Sequence, residues 1–163
     1  MRVLTPTEVE PFLSDPVVRQ RHLELDLPPT EDWARQSMPT DAGRKNAFAA
    51  LVARLLYEDP GDVVLEIGEW GIWPSSDNPE LFHDYRRCLG EQRHVSEARF
   101  HVFTADESVA FRNLLNLCLI FIYDVKVHKL KSGDRVYVSH DEYVDFNFVD
   151  REKQDFVEKW LDK

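Results

Sequence analysis

The chain has 163 residues, of which 43% are hydrophobic and 31% are charged, and its formal net charge is −10 at pH 7. This acidity argues against nucleic acid as a partner, because phosphate binding requires clustered Lys and Arg side chains. It permits a basic protein partner, although many proteins are this acidic for solubility alone. The longest apolar run, residues 114–127, is too short for a membrane span of about 20 residues, and Asp124 interrupts it. We therefore expect neither nucleic acid nor membrane as a partner.

The length fits one globular domain over residues 1–163. Cys88 and Cys118 have no CxxC partner, so neither a zinc site nor a redox motif is indicated, and we expect buried structural thiols. The N-terminus lacks the apolar segment of a signal peptide. Free cysteines and no targeting segment predict a cytoplasmic location.

The first 40 residues carry six of the nine prolines, which argues against long regular elements there. Leu23, Leu25 and Leu27 alternate with acidic residues, a pattern that also fits a short edge strand. We predict an irregular N-terminal arm, residues 1–40, that packs on the body of the domain.

The rest of the chain alternates between helical and strand patterns. Apolar residues at helical spacing, Asp or Asn caps and a capping box beginning at Thr104 predict helices. These helices are expected at residues 42–58, 79–89, about 104–116 and after Asp150. Short alternating or continuous apolar runs predict strands at residues 63–67, 99–103, 117–127, 135–139 and 143–149.

Residues 114–127 are predicted to organise the fold. Near-continuous apolarity with several β-branched and aromatic side chains is typical of a central strand covered on both faces. Beyond Asp124 the pattern alternates, which indicates a half-exposed strand. Helix and strand are not separated by apolarity alone, so the boundary near Asn116 stays open. The fold class predicted is α/β, with α+β as the alternative: one domain whose mixed central β-sheet of about five strands is flanked by helices.

A polar cluster follows from the predicted hairpin that turns at Ser132-Gly133. A two-residue loop would place Asp124 opposite Asp141, with His140 and Glu142 beside them, and facing carboxylates repel unless a cation or a proton lies between them. We therefore consider Asp124, His140, Asp141 and Glu142 as candidate catalytic residues, with Asp124 and Asp141 as candidate metal ligands. The alternative is structural: Asp141 simply ends the strand, and a register shift of one residue removes the pair.

A second candidate is the loop after strand 63–67, where Glu69, Trp70 and Trp73 could form an aromatic recognition surface. Loops between a strand and a helix often carry ligand sites in α/β sheets. The alternative is that the tryptophans pack the loop onto the body. The glycine spacing matches no phosphate-binding loop.

No motif of a known enzyme class is present. The sequence therefore favours a non-catalytic, acidic protein-binding domain of the inhibitor or immunity type, with no cofactor and with a basic protein as the kind of partner that the acidity permits. The alternative is a metal-dependent hydrolase that uses the Asp/His/Glu cluster with a divalent metal. The oligomeric state is not indicated.

Overall fold

The computed structural model describes residues 1–16, 18–19, 33–70 and 79–162. In this part of the chain there are five helices and seven strands. The helices are α1 (Pro6–Leu13), α2 (Ala42–Tyr57), α3 (Pro79–Cys88), α4 (Ser108–Phe121) and α5 (Arg151–Leu161). The strands are β1 (Arg2–Val3), β2 (Ala34–Ser37), β3 (Val63–Ile67), β4 (Phe100–Phe103), β5 (Val125–Lys129), β6 (Arg135–Val138) and β7 (Tyr143–Asn147).

The strands form one sheet in the order β1-β4-β3-β5-β6-β7-β2, and every neighbouring pair is antiparallel. Mixed helix and sheet was expected, but the expectation of about five strands in a mixed sheet was wrong. The two additional strands, β1 and β2, come from the proline-rich N-terminal region and occupy the two edges of the sheet, where short strands are tolerated. Because this region also forms α1, the expectation of an irregular arm was wrong for its described residues. The proposed edge strand at residues 23–27 lies outside the described residues.

The strand predicted for residues 117–127 is helical over its first five residues, 117–121, and begins as a strand only at Val125. Helix α4 continues to Phe121, and its buried side chains recur at helical spacing, with Phe111, Leu115, Cys118 and Leu119 on one face. Ile122 then adopts a left-handed backbone with φ 56°, and β5 begins at Val125. The segment is near-continuously apolar because α4 packs against α2, α3 and β4, and burial on several sides hides the period of 3.6 residues.

Both cysteines were predicted to be buried, and the structure confirms this for one of the two. Both thiols are free; Cys118 is buried in α4, whereas Cys88 at the end of α3 is exposed. The expectation of a buried thiol was therefore wrong for Cys88.

Most of the core lies between one face of the sheet and helices α2 to α5. Alternate strand residues such as Val125, Val127, Val136 and Val138 point into it and are fully buried. A smaller cluster on the opposite face packs against α1 and consists of Leu4, Val64, Phe100 and Val102.

Arg86 of α3 is fully buried, and among the described residues its guanidinium bonds carbonyls and histidine rings rather than a carboxylate. Its Nη1 and Nη2 donate to the carbonyls of Arg93 and Ala98 at 2.9 and 2.7 Å, and its Nε donates to Nε2 of His101 at 3.0 Å. His101 can accept this bond only as a neutral ring, whose Nδ1–H donates to the carbonyl of Arg99 at 2.9 Å. Burial, followed by the charge of Arg86, lowers the pKa of His101 to about 3.

Candidate functional site

Three candidate side chains meet at one end of the sheet. Because β3, β5 and β6 are antiparallel neighbours, the end of β3, the start of β5 and the end of β6 lie side by side. Glu69 follows β3, Asp124 precedes β5 and His140 follows β6. Strand order therefore assembles residues that are distant in the sequence.

The backbone fixes Asp124 against the end of β3. The amide of Gly68 donates to the carbonyl of Asp124 at 2.8 Å, and the amide of Asp124 donates to the carbonyl of Glu69 at 2.9 Å. A Cβ added to Gly68 would lie 3.2 Å from the Cβ of Asp124, so glycine is what lets the two segments approach this closely. The β3–β5 ladder thus continues beyond Ile67.

Asp124 and His140 form a hydrogen-bonded pair. The Oδ1 atom of Asp124 accepts from the backbone amide of His140 at 2.6 Å and lies 2.9 Å from its Nδ1. Asp124 is buried, while a quarter of the His140 side chain is exposed. The carboxylate therefore holds both the backbone and the ring of the histidine, with the ring open to solvent on one side.

His140 is the first residue of a three-residue hairpin loop between β6 and β7. Ser139 and Tyr143 close this loop, and the amide of Ser139 donates to the carbonyl of Tyr143 at 3.0 Å. The last loop residue, Glu142, has φ 63°, the left-handed conformation that such loops require at this position. Its carbonyl accepts from the amide of Met38 at 2.8 Å, which anchors the loop next to β2.

The predicted pairing of Asp124 with Asp141 was wrong. The observed register pairs Val125 with Val138 and Val127 with Val136, because the β5–β6 loop is longer than two residues. Continuing this register places Asp124 opposite Ser139. The shift is two residues, so the valines of β5 and β6 keep their shared face on the core, as alternation predicts.

Asp141 and Glu142 have different places around the pair. The Oδ1 atom of Asp141 lies 3.6 Å from Nε2 of His140, and its side chain is mostly exposed. Glu142 is exposed as well, and its charge acts on Lys45 of α2. Asp124 and Asp141, the two predicted metal ligands, therefore do not face each other across the strands as expected. Both of them contact His140 instead.

Glu69 joins the cluster from the second predicted site. Among the described residues, Glu69, Asp124 and His140 are the group whose potential ligand atoms all lie within 4.8 Å of one another. Two carboxylates and an imidazole can bind a divalent metal ion, hold a basic side chain or transfer protons. We call Glu69, Asp124 and Asp141, which surround His140, the acid rim.

The acid rim changes the electrostatics of the groups it surrounds. Burial alone would lower the pKa of His140, but the hydrogen bond and charge of Asp124, with Asp141 and Glu69, outweigh burial and raise it. Burial, followed by the charge of Asp124, raises the pKa of Tyr137 on β6 to about 12. Tyr137 therefore stays protonated at neutral pH, and its hydroxyl forms hydrogen bonds with the side chains of Ser139 and Asp124.

Trp70, the second predicted binding residue, is half-buried beside the rim. Its ring has the guanidinium of Arg99 4.7 Å from its centroid and the ring of His94 at 6.4 Å. His94 in turn stacks on the buried His83 at 4.4 Å. Trp73 lies outside the described residues. Nothing in the local sequence around Arg99, His94 or His83 indicates that these residues would line up beside Trp70.

Among the described helices, none combines the length and the apolarity that crossing a bilayer requires. No protein-family model, no curated protein and no solved structure matches the chain. The residues of the site are therefore the basis for a functional assignment.

Proposed function

We propose that the chain is an acidic, non-catalytic protein-binding domain of the inhibitor or immunity type, with the acid rim and Trp70 as its contact surface. The observation that carries this proposal is the presence of two exposed carboxylates, Glu69 and Asp141, around His140, with the half-buried Trp70 directly after Glu69 in the chain. The complementary partner surface carries Lys or Arg side chains.

Charge and aromatic contact have separate roles in such a surface. Exposed carboxylates accelerate association with a basic partner and select against acidic ones. Tryptophan is enriched among the residues that contribute most to binding energy, because it buries a large rigid area. Arg99, stacked on Trp70, keeps the indole oriented in the free protein.

The test begins with affinity capture at low and at moderate salt, identification of the captured protein, and calorimetry with both purified proteins. We expect the double variant Glu69→Lys/Asp141→Lys to weaken binding at least about tenfold, or about 1.4 kcal/mol. The matched control is Glu152→Lys/Asp155→Lys, which makes the same charge change on exposed residues of α5. A failure to capture a partner at either salt concentration, or an equal loss in the control, contradicts the proposal.

A metal-dependent hydrolase is a second candidate, which the convergence of Glu69, Asp124 and His140 favours. In this candidate the carboxylates and the imidazole hold a divalent ion, and the ion lowers the pKa of a bound water. The test is release of p-nitrophenol from phosphate mono- and diesters with Zn²⁺, Mn²⁺ or Mg²⁺ present. Turnover that Asp124→Asn abolishes supports it, and absence of turnover with all three ions rules it out for these substrates.

A further inference from the structure

We infer that Glu69, Asp124 and His140 form a binding site for one divalent transition-metal ion of the Zn²⁺ class. The site is the one on which the hydrolase candidate rests, and this inference names its ligand. Ion binding is measured without any reaction, so its outcome is independent of turnover and of a protein partner.

The donor atoms are close to the spacing that an ion requires. Zn²⁺ binds oxygen and nitrogen at about 2.1 Å, so two tetrahedral ligands lie about 3.4 Å apart. The Oδ1 atom of Asp124 and Nδ1 of His140 are 2.9 Å apart, and all three residues offer atoms within 4.8 Å. An ion bound by both atoms replaces the proton of their hydrogen bond, and this proton is released to solvent. Because Glu69 is exposed, rotation of its side chain can close the remaining gap without displacing packed neighbours.

The backbone of the site is already in place. Glu69 and Asp124 are joined by a ladder hydrogen bond of 2.9 Å, and His140 is held by its amide at 2.6 Å from the Asp124 carboxylate. Ligands on strand ends lose less freedom on binding than ligands on a free loop. The ordering cost of ion binding thus falls mainly on the Glu69 side chain.

The charge balance of the acid rim is a separate observation that favours a cation. Among the described residues, Glu69, Asp124 and Asp141 form no ion pair with a Lys or Arg side chain. Three carboxylates thus surround one imidazole, and Asp124 among them is buried. The carboxylates of Glu69 and Asp124, which offer oxygens within 4.8 Å of each other, repel one another, and an ion between them removes that repulsion.

The donor set selects the class of ion. Mg²⁺ and Ca²⁺ prefer shells made of oxygen, whereas an imidazole favours Zn²⁺ and related transition metals. Three protein ligands leave a fourth position of a tetrahedral ion open to water or to another ligand. Asp141, 3.6 Å from Nε2 of His140, can orient the ring from outside the ligand shell.

The experiment is calorimetric titration of the full chain with ZnCl₂, MnCl₂ and MgCl₂. We expect one Zn²⁺ per chain, bound at least about tenfold more tightly than Mg²⁺. Glu69→Gln and His140→Gln should each weaken Zn²⁺ binding at least about tenfold. Glu69 is exposed, so its variant keeps the fold, and circular dichroism checks the His140 variant. His94→Gln is the matched control, since His94 is exposed and lies outside the acid rim.

Two results would overturn the inference. The first is no detectable binding at Zn²⁺ concentrations up to about 1 mM. A Kd of about 1 mM corresponds to a binding free energy of about −4 kcal/mol. The second is Zn²⁺ binding that survives Glu69→Gln and His140→Gln but is lost in His94→Gln, which would place the ion at the His83–His94 stack. Binding that follows the expected pattern without turnover would reject the hydrolase alone and leave the metal site standing.

Discussion

The buried pair of Arg86 and His101 predicts that acid destabilises this protein from mildly acidic pH downwards. Protonated His101 would turn its Nε2 from an acceptor into a donor facing Nε of Arg86, 3.0 Å away, and would place two positive charges together in the core. The folded protein therefore resists this protonation, while the unfolded chain does not. We choose His101→Gln as the perturbation, because a glutamine oxygen can still accept from Arg86 but does not titrate.

The sign and the pH window follow from the two pKa values of His101. The pKa is 6.5 for the free side chain and is lowered to about 3 in the folded protein. The stabilisation is thus complete above pH 6.5 and is lost as the pH falls from there towards 3. Between about pH 7 and about pH 5 this single group costs the wild type about 2 kcal/mol of unfolding free energy.

The assay is urea unfolding of the wild type and of His101→Gln at both pH values. We expect the variant to lose about 2 kcal/mol less than the wild type over this interval. The other histidines titrate in both proteins, so their contributions cancel in the difference. Equal pH dependence in the two proteins, or an NMR titration of the His101 ring with a midpoint above about pH 6, would refute the reasoning.

Two further substitutions test local features. Glu142→Gly should raise the unfolding free energy by about 1 kcal/mol relative to Glu142→Ala, because only glycine adopts the left-handed backbone at φ 63° without strain; equal stability of the two variants would contradict this conformation. Lys129→Met should lower the unfolding free energy by about 1–3 kcal/mol, because the buried Nζ of Lys129 donates to the carbonyls of Leu56 and Asp59 at the end of α2. The control in the same urea assay is Lys131→Met, since Lys131 is exposed. A loss no larger than that of the control would show that these bonds add nothing.

Local sequence patterns predicted the individual elements well where one period dominates. The strand at residues 63–67 and the helix that begins at residue 42 are confirmed, and the side chain of Asp41 caps that helix by accepting from the amide of Arg44 at 2.8 Å. Asp150 caps α5 in the same way, accepting from Glu152 at 2.9 Å. These features depend on neighbours a few residues away, which a sequence displays directly.

The candidate site was only partly predictable. The residues Asp124 and His140 were identified from their density of polar groups near one hairpin, but the sequence placed Glu69 in a separate aromatic loop. Glu69 and Asp124 meet only because β3 pairs with β5. The sequence separation of two strands does not determine whether they pair, so this contact was not predictable. The hairpin register was missed for a related reason, since several loop lengths fit the same alternation.

The helix predicted to begin at Thr104 begins at Ser108, so its cap was wrong. The sequence by itself determined the acidity, the element types with a clear period, the helix caps at Asp41 and Asp150, and the shared face of the valines in the β5–β6 hairpin. The last survives a wrong register because side chains alternate with a period of two and the error was two residues. The tertiary structure decided three further features: the helical state of residues 117–121, the strand order and the composition of the acid rim. Each depends on packing between distant segments: burial of α4 on several sides masks its helical period, and only a folded sheet brings the ends of β3, β5 and β6 together.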